Sequence, residues 1–234
     1  MRRRQVTQAT LTWASLCSIG ALQHANALTL SDLSNTDATK GLKTALEKGA
    51  LAAIGILGAR DGFLGNDSVR IALPSSVNDA ANLMRRFGQG AQVDELITAM
   101  NRGAEAAVPM AKDLLVNAVQ TMSVNDAKGI LSGSNTAGTT YFAQKTRSTL
   151  AVKFLPIVHQ ATDKIGLAGK YNELAGKAAE LGLLNKDDAN IQQYVTSKAL
   201  DGLYFMIAEE EKKIRQNPVG YGSALLTKVF GAIR

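Results

Sequence analysis

Cysteine is almost absent from the sequence. The single one, Cys17, and the single tryptophan, Trp13, both fall within the first twenty residues. Those residues read as an export signal. Arg2, Arg3 and Arg4 form a positive start, the uncharged stretch Ala9–Leu22 follows, and Ala25-Asn26-Ala27 supplies the small-x-small pattern that signal peptidase cuts. That stretch is 14 residues long, too short for a hydrocarbon core that needs roughly 20. Acylation of Cys17 is disfavoured too, because Leu16 stands where a lipoprotein signal wants a small residue. The expected mature protein begins at Leu28 and lies in the periplasm. It holds no thiol, which excludes a disulfide, a thiolate nucleophile and a thiolate metal site.

Excess positive charge is also scarce once the signal is set aside. Residues 1–27 carry three basic residues and no acidic one, so the net charge drops from +6 to +3. The argument for nucleic-acid binding goes with it. No later run is long and apolar enough to span a membrane, and 207 remaining residues suffice for one sizeable core. No cofactor motif stands out.

With four prolines, few β-branched runs and abundant Ala, Leu, Lys and Glu, the chain reads as helix. Ser34 with Asp37, Ser76 with Asp79, and Ser123 with Asp126 have capping-box spacing. A first helix places Leu42, Ala45, Leu46, Gly49, Ala53 and Ile56 on one face and ends at Gly58. A second runs from Ser76 to Phe87. A third pattern from Val93 to Met122 must kink or split at Pro109. Further helices are expected over 126–131, from Thr136 to near Gly166 with an interruption at Pro156, over 171–181, from Asp188 to Asn217, and over 223–230. Between the first two lies the Gly- and Asx-rich turn Arg60–Asp67, then Val69–Pro74, which alternates. The expected fold is an all-α multi-helix bundle, one domain over 28–234, with one short extended or hairpin segment near 63–73.

Several pieces carry a family resemblance. They are Leu33-Ser34-Asn35-Thr36-Asp37-Ala38, Asp61-Gly62-Phe63-Leu64 leading to Val69-Arg70-Ile71, Met100-Asn101-Arg102 with Glu105 through Pro109, and Asp126 through Leu131. Tyr141-Phe142, Ala199 through Leu203, and Ala208 through Lys212 on to Pro218 complete the set. Together they resemble exported bacterial proteins grouped as domain of unknown function 4197, across essentially the whole mature chain. The resemblance implies a helical envelope domain and brings no activity with it.

Candidate site residues follow from helical spacing. Glu210 shares a face with Ala199, Leu203, Met206 and Ile214, while Glu209 and Glu211 point elsewhere and pair with Lys213 and Arg215. A carboxylate on an apolar stripe needs a partner; a structural ion pair is the stronger reading and a ligand carboxylate the weaker. Glu105, four residues after Asn101, borders another apolar stripe. His159 is the one histidine left after cleavage, with Asp163 one turn on, a spacing with too few ligands for zinc. Asp61, Asn66 and Asp67 lack EF-hand spacing and read as turn residues rather than a calcium site. Tyr141 and Lys145, beside Phe142 and Arg147, offer a polar-aromatic recognition face. Two classes of function remain. The first is a non-enzymatic binding domain for an apolar or amphipathic, lipid-like small molecule or for an envelope protein. The alternative is an envelope hydrolase or lyase using Glu105, Glu210 or His159.

Overall fold

A computed structural model of the chain describes residues 35–180, 189–221 and 229–230. The export segment, Ser34 and most of the expected 223–230 helix lie outside the described residues. Within them the regular structure is all helix. Helix α1 (Asn35–Leu57) leads through turns and an extended stretch to α2 (Asn78–Arg86) and α3 (Gly90–Ala107). Then come α4 (Lys112–Gln120), α5 (Val124–Ser132), α6 (Ala137–Thr162), α7 (Gly166–Glu180) and α8 (Ile191–Gln216). The chain folds as an all-α bundle.

The punctuation residues account for most of the boundaries. Pro109 falls in a 3-10 turn, Val108–Ala111, that separates α3 from α4. Ser123 and Asp126 form the expected capping box at the start of α5, each side chain bonding the other's backbone N–H. The helix expected from Ser76 begins later, at Asn78, and the Ser76 side chain of the expected box with Asp79 lies outside the described residues. Ser75–Val77 make a 3-10 turn instead, and the residue before α2 is Val77, which has no capping side chain. Pro156 does not interrupt α6, which runs on to Thr162. The bond it removes belongs to Val152, whose residue is 75% exposed, so the lost donor falls on the wet side of the helix.

α8 is the hub. It packs on α1, α3 and α6, while α1 also meets α4 and α5. Being covered on several sides, it buries more than one stripe, with Val195, Ala199, Leu203, Met206 and Ile207 among its core residues. Gly202 marks the closest approach. A Cβ there would come 2.7 Å from Phe63, whose ring is wholly buried. Ile56, expected inside, is 42% exposed, because the core of α1 follows Leu42, Ala45, Leu46, Ala50, Ala53 and Leu57.

No strand or hairpin occurs among the described residues near 63–73. Residues 61–65 and 67–69 are turns, and 70–74 are extended with no partner strand. A side chain of α3 satisfies that extended backbone instead.

Candidate functional site

Asn101 faces the extended segment from α3. Its Oδ1 accepts from the Ile71 N–H at 2.9 Å, and its Nδ2 donates to the Ile71 carbonyl at 2.9 Å and the Ile97 carbonyl at 2.8 Å. A fully buried amide thus does for Ile71 what a neighbouring strand would do. One turn on, Glu105 Oε1 accepts from the N–H groups of Phe63 and Leu64, both at 3.1 Å. Its Oε2 takes the Arg102 guanidinium at 2.6 Å, and the same guanidinium reaches Asp61 at 2.7 Å. The two carboxylates favour the charged guanidinium and raise its pKa. Asp61 itself is a non-glycine residue at φ 65°, where the chain reverses. Asn101, Arg102 and Glu105 therefore clamp the whole 61–71 segment onto α3.

A second clamp is built on α8. Glu211 is 5% exposed and accepts from the N–H groups of Gly138 at 3.0 Å and Thr139 at 2.8 Å, and from the Thr139 hydroxyl at 2.9 Å. These are first-turn donors of α6, whose own preceding residue, Thr136, makes no side-chain cap. Arg215 binds the same carboxylate through Nε at 3.1 Å and Nη2 at 2.9 Å. It also donates to the Ile130 carbonyl at 3.0 Å near the end of α5, and lies 5.4 Å from the Phe230 ring centre. α8 thereby ties the end of α5 to the start of α6. A Cβ at Gly138 would press on the ends of the Leu46 and Glu211 side chains, which would have to shift.

Caps supplied by another helix recur elsewhere. Asn172 of α7 accepts from the first N–H of α8, on Ile191, at 2.8 Å, and Lys43 of α1 donates to the last carbonyl of α4, on Gln120, at 2.9 Å.

The other candidates divide. Glu210 is buried, as its spacing predicts, and pairs with Lys213 at 2.7 Å; Lys212, not Lys213, is the partner of Glu209. Glu105 and Glu210 serve different neighbours, the first the 61–64 turn and the second Lys213 on its own helix, close to Gly49 of α1. Glu211 pairs with Arg215 at 2.9 Å, as its spacing predicts, and it is buried as Glu210 is, because α8 is covered on enough sides to bury adjacent residues. Tyr141 does not present a recognition face. It is 9% exposed, donates to the Ala118 carbonyl at 3.2 Å, and carries Lys145 5.7 Å from its ring centre. Burial raises its phenol pKa. His159 and Asp163 lie 3.6 Å apart with more than half of each side chain exposed. Asn66 serves its own turn through the Ser68 N–H at 3.1 Å, and Asp67 is exposed. No group of three metal-ligating side chains gathers among the described residues.

One open feature stands apart from both clamps. A shallow groove of about 670 Å³ runs between α6 and α8, floored by Ala143, Ala151, Leu155 and Leu200. Thr196 lines it, and its hydroxyl is the one buried side-chain polar atom without a hydrogen-bond partner among the described residues.

What emerges is a helical bundle domain whose buried acids and amides act as caps between helices. The chain belongs to the family described as a protein of unknown function, DUF4197, whose profile matches residues 32–231. No curated protein and no solved structure matches it. None of the described helices is long and apolar enough to cross a membrane.

Proposed function

We propose that this is an exported, non-enzymatic domain of the cell envelope that binds an apolar or amphipathic ligand or a partner protein. The observation carrying this reading is where its buried polar groups are spent. Glu105 and Glu211 direct their oxygens at backbone N–H groups and arginines, and Asn101 is wholly engaged by Ile71 and Ile97. A general acid or nucleophile must reach a substrate, and oxygens already committed to holding the backbone serve that role poorly. The hydrolase or lyase alternative thereby loses its best-placed carboxylate, Glu105. Its histidine, His159, lies on the exposed surface beside Asp163. Export is supported by the arginine start, the short apolar stretch and the Ala25-Asn26-Ala27 cut site.

The test is native mass spectrometry on protein released gently from the periplasm, with extraction of anything bound and sequencing of the N-terminus. A start at Leu28 and a discrete added mass support the proposal. Cytoplasmic retention with residues 1–27 intact overturns the export half. Glu105→Gln and Glu210→Gln test the rest: abolished cellular function in a protein that still melts cooperatively near the native temperature overturns the non-enzymatic reading.

A further inference from the structure

The extended segment 70–74 has two edges, and α3 closes only one of them. Both backbone groups of Ile71 point at Asn101, which takes each at 2.9 Å. Successive peptide groups of an extended chain point to opposite edges, so those of Arg70 and Ala72 point away from α3. A contact on that side fixes the direction: the Tyr194 hydroxyl of α8 donates to the Ala72 carbonyl at 3.1 Å. The side chains alternate as a strand requires, with Val69, Ile71 and Leu73 buried and Arg70 and Ala72 exposed. A groove of about 500 Å³ lies along this second edge, between residues 68–72 and the face of α8 that carries Tyr194, Lys198, Asp201 and Phe205. From Tyr194 to Phe205 that face is about 17 Å long at ~1.5 Å per residue, the length of about five extended residues.

Two main-chain groups on this edge stay open. The Arg70 N–H is taken by its own turn, at 2.8 Å from the Asn66 carbonyl. The Arg70 carbonyl and the Ala72 N–H meet no protein group among the described residues. They are the acceptor and donor that one residue of an added parallel strand engages, its N–H on the first and its C=O on the second. A lipid chain has no use for that pair, whereas a peptide backbone matches both groups. The groove is also charged in one sense. Arg70 is exposed and has no ion-pair partner among the described residues. Lys198 stands 3.9 Å from Asp201, but Arg147 holds Asp201 more closely, at 2.6 Å. Positive charge is therefore in excess, and Phe205, 44% exposed, adds an apolar surface at one end of the α8 wall.

We infer that a partner protein adds an extended, acidic segment to the Arg70–Ala72 edge, between that edge and α8. Its backbone pairs with the Arg70 carbonyl and the Ala72 N–H, its acidic side chains meet Arg70 and Lys198, and an apolar one rests on Phe205. Main-chain bonds hold the segment and the charges select it. This rests on the binding reading above and supplies its partner class.

The probe is a phage-displayed library of random octapeptides, panned on the purified protein. Two variants serve as counter-targets. Ala72→Pro deletes an N–H that the fold leaves unbonded, and proline is accepted on strand edges. Arg70→Glu reverses an exposed, unpaired charge and leaves the backbone alone, so it tests the same edge if the proline variant folds poorly. Wild type is expected to enrich acidic sequences over both variants, and the selected peptides, made synthetically, to bind each variant about tenfold more weakly. Binding is expected to slow hydrogen exchange at the Ala72 amide. No enrichment by the wild type, enrichment of neutral or basic sequences, equal binding to both variants, or unchanged exchange at Ala72 overturns the inference. If wild type enriches nothing while protein from the periplasm carries a discrete small molecule, the edge assignment falls and the binding reading stands. If nothing is carried or enriched and the enzymatic test of Glu105 and Glu210 is positive, both fall.

Discussion

Glu211→Ala should be the most damaging single substitution at the helix ends. The carboxylate accepts from two backbone N–H groups, one hydroxyl and a buried arginine. Arg215 is only 9% exposed, so removing its partner leaves a buried cation with the Ile130 carbonyl and the Phe230 ring as company. Breaking a buried pair costs ~3–5 kcal/mol, and each orphaned buried donor costs on the order of 1–3 kcal/mol. These overlap, because water entering the space re-satisfies part of the loss. A net destabilisation of about 4 kcal/mol follows, or roughly 8–16 °C in Tm for a domain of this size. Urea unfolding followed by circular dichroism measures it, with the slope checked for constancy. A loss under about 1 kcal/mol would refute the claim that Glu211 holds α6. The double variant Glu211→Leu with Arg215→Leu separates its two roles. If the ion pair alone mattered, the apolar pair would approach wild-type stability. If capping matters, it remains destabilised, since Gly138 and Thr139 still lack an acceptor.

Three further outcomes follow from the same geometry. Asn101→Asp replaces the donor facing the Ile71 and Ile97 carbonyls with an oxygen. It should destabilise by about 3 kcal/mol or more and speed amide exchange at Ile71; unchanged exchange there would contradict the strand-like role of Asn101. Glu105→Ala should free the Phe63 and Leu64 amides, seen as fast hydrogen exchange confined at first to residues 61–71, and slow exchange retained there would remove that clamp. Bonds from Ser123 hold the Asp126 carboxyl below its ordinary pKa. Its cap is therefore complete above the unfolded carboxylate range and is lost as pH falls through the lower folded value. Asp126→Asn should flatten that part of the acid limb of the melting profile, and an acid limb identical to wild type would show that the cap does not contribute.

The class of fold was readable because its signals are local. Apolar spacing located α1, Pro109 divided α3 from α4, and Ser123 with Asp126 marked the start of α5. The burial of Glu210 was readable for the same reason, since a helical face follows from spacing alone. Spacing located the Arg215 partner of Glu211 but not its burial, because facing directions along one helix do not tell how many neighbours surround it. Pro156 misled in the same way: whether a proline ends a helix depends on whether water or protein meets the freed carbonyl.

By itself, then, the amino-acid sequence determined the helical class, most of the helix boundaries, the family, and the presence of acids and amides on apolar faces. Only the tertiary structure decided what those groups do. The N–H groups that Glu211 and Glu105 satisfy are 73 and 42 residues away along the chain, and no local pattern encodes a bond of that span. The groove has the same origin, since a space between α6 and α8 exists only once both helices are packed.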